Sequence, residues 1–367
     1  MRTKLFLLSI VTLSVVALLG SIHLRPYQSI ASNTQAPVRG VYHQHTLASH
    51  DGYASADESY RAAKALNLGF MVVTDHNTMA NLESHSELVV LNYPELSTPF
   101  GHVVGFGLTS PLPKPLRNDW LVLKEIESRG GKAIIAHPTR RRNPWQGSWE
   151  SVGGVEIHNI ADQLQNDPLH TLKMLGIFVA NPALAKAMLF KRDAKALSRW
   201  DDFADPAVVG ICANDSHGRL NLREELNMWA IELDAPWPQD PRERELIAIH
   251  AIATGKFHCA SSIIEHGGGF SFSGIRPTQR PLLTGQSASH STVEALLVKA
   301  PELAADNISI ALYRNGDLIA LSHRATFRYP QPAPGTYRVE ILVPVPRALF
   351  GQESIPVIYS NKIQILD

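Results

Sequence analysis

The chain has 367 residues, with 34 Lys+Arg balanced by 34 Asp+Glu, 44% hydrophobic residues and only 2 cysteines. That length allows two or three domains, or one barrel-sized domain with a smaller companion, and the apolar fraction is ample for a core. Zero net charge argues against a broad nucleic-acid footprint, and two cysteines cannot build a disulfide framework or a thiolate zinc site. The count that stands out is 16 histidines.

Arg2 and Lys4 precede an uncharged run from Leu5 to Ile22, and no Asp or Glu occurs before Asp51. A basic start followed by an apolar stretch is the pattern of a secretory signal. Leu5 to Leu19 fits a cleavable apolar segment, while the full run reaches the lower limit for a membrane-spanning helix. Residues 1–31 therefore read as a signal peptide or an N-terminal membrane anchor, and both stay open. The remainder is expected to be exported: periplasmic or extracellular, or tethered to a membrane and facing outward. Cleavage after Ala31 would remove Arg2, Lys4 and Arg25 and leave 31 basic residues against 34 acidic ones. Export would permit a Cys212–Cys259 disulfide, although the apolar run around Cys212 argues against it.

From about Gly40 to Cys212, within a first domain expected over residues 38–255, short apolar strands alternate with helices. Val38–His43 reads as a strand. Ser55 and Glu58 form a capping box that opens a helix ending at Gly69. Phe70–Thr74 is a strand, Asn118 caps a helix ending at Gly130-Gly131, and Lys132–Ala136 is a strand. Val155–His158 and Val208–Cys212 are further strands, with a long helical region from Pro182 to Trp200 between them. Such alternation argues for parallel strands joined by crossover helices. Residues 256–367 change character. Asn315-Gly316 between apolar runs signals a hairpin, and Thr336–Val343 and Ile355–Ile365 extend a pattern expected of a small antiparallel β-sandwich.

The chemistry-bearing residues lie just past the strand ends. The first strand runs into His43-Gln44-His45. Alternate strand residues point the same way, so two imidazoles two apart can grip one cation. Asp51 follows in Ser49-His50-Asp51-Gly52. The second strand ends in Asp75-His76 and the third at Glu95, followed by Gly101-His102. The next ends in Ala136-His137-Pro138, and the last in Asn214-Asp215-Ser216-His217. C-terminal strand ends of α/β barrels converge on the active site, so the set predicts a multimetal centre.

Together these blocks resemble the polymerase-and-histidinol-phosphatase (PHP) family of metal-dependent phosphoesterases over roughly residues 40 to 218. The resemblance implies a distorted seven-stranded β/α (TIM-like) barrel holding two or three divalent cations. His43, His45, Glu95 and Asp215 would bind the first, and Glu95 would bridge to a second held by His102 and His137. The third would take His76, His217 and Asp51. His50 stands where the family's acid can also fall, and Asp51 is favoured because Asp51-Gly52 suits a turn. Asp75 is read as orienting His76 or the strand end.

The imidazole–carboxylate mix suits Zn, Mn or Fe. Such a site would hydrolyse a phosphate mono- or diester through metal-bound hydroxide, with Asp215, His217, His137 and Arg140 as the candidate catalytic residues. Arg140, in Arg140-Arg141-Arg142, is either a phosphate contact or part of a solvated loop. Glu156, His158 and Asn159 are read as lining or structure, and Trp145 and Trp149 as packing rather than a lid. The partner is a small phosphorylated substrate, with no nucleic acid and a possible membrane tether. Two alternatives remain: a metal-dependent hydrolase of a non-phosphate bond, and an envelope- or polysaccharide-binding protein with a vestigial barrel.

Overall fold

The computed structural model describes residues 37–113, 118–219, 221–265, 267–301, 308–346 and 351–367, so the signal-or-anchor segment lies outside it. Strand β1 (Val38–Gln44) leads into α1 (Ala56–Ala65), where both arms of the Ser55–Glu58 capping box form. Strands β2 (Phe70–Val73) and β3 (Val89–Asn92) continue in parallel from β1. There the alternation stops. β4 (Glu95–Thr98) and β5 (Gly101–Phe106) form an antiparallel hairpin. After α2 (Asp119–Ser128), capped by Asn118, β6 (Lys132–Ala136) also runs antiparallel to β5.

Parallel pairing resumes from β6 to β7 (Gly154–Asn159). Four helices follow: α3 (Ile160–Asn166), α4 (Pro168–Ala180), α5 (Pro182–Ala187) and α6 (Ala194–Asp201). The long helical region expected from Pro182 to Trp200 is divided, because the Asp193 side chain accepts from Lys195 N and Ala196 N and starts a new helix. β8 (Val209–Ala213) pairs parallel with β7. Beyond α7 (Leu222–Leu226), β9 (Trp229–Leu233) pairs antiparallel with β1. Helix α8 (Pro241–Thr254), with Pro241 in its first turn and left-handed Gly255 ending it, leads to β10 (His258–Ser261) beside β9.

The expected β/α barrel followed by a β-sandwich is not what forms. Among the described residues no barrel closes. Strands β1–β3 belong to an eleven-stranded mixed sheet, whereas β4–β8 form a separate five-stranded one. Glu95 opens a hairpin strand instead of ending a parallel one, and the two residues between Thr98 and Gly101 leave no room for a crossover helix. Nor is the C-terminal part a free-standing sandwich. Gln352–Ser360 pairs with β10, setting Tyr359 opposite Cys259, so these strands extend the large sheet. A period-two apolar pattern marks a half-buried strand but does not say which sheet it joins.

The two sheets meet along one seam. Short bridges link Gln44 with Ser216 and His76 with Glu95. His45 N donates to Ser216 O at 2.8 Å, and Ser216 N to His43 O at 3.1 Å. A disulfide between Cys212 on β8 and Cys259 on β10 ties the sheets behind the seam, against the expectation from the apolar surroundings. The C-terminal strands are pinned by charge as well. Buried Arg338 forks onto Asp201 at 2.7 and 2.8 Å and reaches Glu340 at 2.6 Å.

Candidate metal centre

Strand ends from both sheets deliver polar side chains to the seam. β1 and β2 bring His43, His45 and His76, while β4, β5, β6 and β8 bring Glu95, His102, His137 and Asp215. The backbone bends to do so. His43, His137 and Asp215 hold φ of 67°, 31° and 49°, a left-handed conformation uncommon outside glycine that concentrates at functional sites. The β1–β2 register slips at His43, and the strand ends at Gln44. His43 and His45 thus converge across a bulge, not through regular strand alternation.

Their Nε2 atoms lie 3.1 Å apart. Glu95 Oε2 is 3.3 Å from each, and Asp215 Oδ1 is 3.4 Å from each. A tetrahedron with metal–ligand bonds of about 2.0–2.1 Å has edges of about 3.3–3.4 Å, so His43, His45 and Asp215 have the spacing of three donors of such a shell, while Glu95 groups with His45 and His76 on one side and with His102 and His137 on the other. The other Glu95 oxygen faces elsewhere: Oε1 is 2.9 Å from both His102 Nδ1 and His137 Nε2. Asp51 Oδ2 gathers a further set, 3.3 Å from His76 Nε2 and 3.0 Å from His217 Nε2. All nine candidate ligands fall within groups able to hold a cation, with His45 shared between several. His50 belongs to none of them; its exposed ring lies tilted against His76, with centroids 5.0 Å apart.

Several ligands are aimed by a second contact. His217 Nδ1 sits 2.9 Å from the Asp215 carbonyl, which directs Nε2 to Asp51. His43 Nδ1 sits 2.5 Å from Glu156 Oε1. The other Glu156 oxygen accepts from His137 N and Asn159 Nδ2, each at 2.8 Å. Asp75 accepts from Thr46 N and Thr46 Oγ1 at 2.7 and 2.8 Å and pins the loop after His45. Arg140 turns inward, not out to solvent. It donates to Asp215 Oδ2 at 3.0 Å and pairs with buried Asp162 at 3.2 Å. The sequence reading takes Glu156 only as lining or structure and does not single out Asp162. The one signal for Glu156 is its place on β7, a strand of the same sheet that carries Glu95, His102 and His137.

The electrostatics suit cation binding. Burial works against charge on Glu95 and Asp215, but the surrounding histidines, and Arg140 at Asp215, hold both pKa values well below the ordinary range. Asp51, also opposed by its burial, is lowered by His217, His76 and Ser49. Burial lowers the pKa of His45 and keeps it neutral, as a ligand must be. On His43 burial is outweighed by Glu156, Asp215 and Glu95, which raise its pKa well above the usual value. A cation taking His43 Nε2 would release that proton. Trp145 is buried and donates to the Ser148 carbonyl at 3.1 Å, and Trp149 packs on Phe203; both are structural.

No protein-family model matches the chain, and no curated protein matches it in sequence. Among solved structures it is similar to a protein from Bifidobacterium adolescentis, provisionally described as a metal-dependent phosphoesterase. The identity is 15% over 50% of this chain and 90% of that one, with a TM-score of 0.29. A likeness this loose bears on neither fold nor chemistry; the grouping of side chains at the seam does.

Proposed function

We propose that this chain is an exported, metal-dependent phosphoesterase of the PHP type, acting on a small phosphate mono- or diester. The observation that carries this reading is Glu95, whose two oxygens serve separate histidine pairs at 2.9–3.3 Å, the arrangement of a carboxylate bridging two cations. Zn, Mn or Fe fits the donors, and two or three such ions would offset charge on a phosphoryl group and acidify a water. His43, His45, Glu95 and Asp215 would hold one ion, His102 and His137 a second with Glu95, and Asp51, His76 and His217 a third.

The chain's own residues supply orientation and charge. Glu156 fixes His43, and Arg140 shares Asp215 with the first ion position, where it stands ready for a phosphate oxygen. Beyond Arg140 a cavity of about 350 Å³, whose lining carries Arg141, Lys191, Arg192 and Lys195 together with Asp167 and Asp193, offers room for a small substrate. The Cys212–Cys259 disulfide supports export, since such bonds persist in oxidising compartments.

The test is hydrolysis of a panel of chromogenic phosphate, acyl and glycosyl esters by purified protein loaded with Mn²⁺ or Zn²⁺. Turnover is expected on phosphate esters alone, and His45→Ala and Asp215→Ala should lose both metal and turnover. Phosphate-ester turnover that survives in either variant, or after complete chelation, would sink the reading.

A further inference from the structure

Helix α4 is apolar on the wrong side. Met174 and Ile177 point into the body, as an amphipathic helix requires. On the opposite face Leu169, Leu172, Leu175 and Val179, spaced three or four residues apart, lie 55–82% exposed, and Phe178 beside them is 55% exposed. Leu164, on the preceding α3, adds to the same region. Isolated exposed leucines are ordinary, but a contiguous stripe of this size marks a contact surface.

The charges around the stripe indicate what covers it. From Pro168 to Arg192 there is no Asp or Glu, while Lys173, Lys186, Lys191 and Arg192 occur. Lys186 and Arg192 pair with Glu224 and Glu340, and Lys191 lies by Asp167, the acid that caps α4, which leaves exposed Lys173 on the helix itself. A two-fold dimer centred on α4 would set the same surface against itself and carry Lys173, which no ion pair holds among the described residues, into an apolar contact with its own copy. An anionic lipid surface meets both features, since apolar side chains enter the acyl boundary and lysines meet the headgroups. The apolar run Leu5–Leu19 in the sequence fits the same setting: an anchored chain would hold α4 at high effective concentration near the bilayer.

We propose that α4 is an interfacial helix that lays its Leu169–Val179 stripe on an anionic membrane surface. The cavity lined by Arg141 and Lys195 takes His170 of α4 into its wall, so docking would present that cavity close to the headgroup layer. The inference goes beyond the hydrolase reading and stands or falls independently of it.

The test uses the full chain carrying an environment-sensitive fluorophore at Val179→Cys, where Cys212 and Cys259 are occupied by their disulfide. A second labelled chain, Leu318→Cys, reports an exposed position on the C-terminal strands. Each is mixed with vesicles of phosphatidylglycerol and phosphatidylethanolamine, or of phosphatidylcholine alone. A several-fold, blue-shifted rise is expected at Val179 with the anionic vesicles only, with no change at Leu318. Lys173→Glu combined with Lys191→Glu should at least halve it. The proposal is overturned if the Val179 emission ignores lipid, or if it responds equally to phosphatidylcholine and to the lysine variants. It is overturned too if the probe is already shielded in lipid-free buffer, since a second copy or another segment then covers the face. Metal content and ester hydrolysis of the labelled chain, measured alongside, report on the hydrolase reading separately.

Discussion

Glu156 Oε1 lies 2.5 Å from His43 Nδ1, and both side chains are fully buried. The contact leaves His43 Nε2 as the ring nitrogen facing His45, Glu95 and Asp215. Carboxylates behind a ligand histidine orient the ring and raise its basicity, and their loss typically weakens metal binding by about 10–100-fold. Glu156→Gln should therefore weaken uptake of the first ion by that factor while the fold survives. Metal titration calorimetry with circular dichroism would check it. Unchanged affinity would show that His43 is held by the backbone bulge alone.

Asp51 and His50 are adjacent, but only Asp51 reaches the histidines. Its Oδ2 touches His76 and His217, while His50 is exposed and outside every ligand group. Asp51→Asn should lower the bound metal by up to one equivalent and reduce turnover. His50→Ala should leave both within about twofold, as surface substitutions usually do. Elemental analysis of the two purified variants decides the matter. Glu95→Gln should be more severe than either, because one change removes a donor from two positions.

What was legible in the chain follows from locality. His76, His137 and Asp215 each lie within three residues of the end of β2, β6 or β8, so they could be chosen without knowing how the sheets close. The capping box at Ser55–Glu58 and the cap at Asn118 were readable for the same reason. The closure itself was not. The β4–β5 hairpin depends on a two-residue link that also fits a strand followed by a loop, and the pairing of Gln352–Ser360 with β10 joins residues about a hundred positions apart. Glu156 reaches His43 across 113 residues, and no local pattern carries that contact. The stripe on α4 also misleads a local reading, since an apolar helix is ordinarily a buried one.

The disulfide joins β8, which carries Asp215 just beyond its end, to β10 on the other sheet, and it closes a loop of 47 residues. On a chain-entropy basis such a loop stabilises the fold by about 4 kcal/mol, and measured values are often lower, about 2–4. Replacing both cysteines by alanine should cost about that much. Denaturant unfolding of the metal-free protein would measure it. Reductant should lower the wild-type midpoint and leave the double variant unmoved.

His158 supplies a pH signature separate from the metal centre. Its ring is buried, Nδ1 accepts from Trp229 Nε1 at 2.9 Å, and Nε2 donates to the Lys191 carbonyl at 3.1 Å. That geometry needs the neutral ring, and burial, the dominant influence, pushes its pKa down from 6.5 to about 4. The folded value lies below the unfolded one, so between these limits the unfolded chain binds more protons. The stabilisation is complete above pH 6.5 and is lost as pH falls toward 4, at most about 3 kcal/mol in all. Histidines 43, 76 and 217 shift the other way, so the raw stability curve mixes both signs and a variant is needed to isolate this one. In His158→Gln, whose amide can still accept from Trp229, the acid-side slope should fall by about one proton. Urea unfolding across that pH window compares the two chains, and parallel curves would show that His158 is already neutral in the unfolded chain or titrates normally in the folded one.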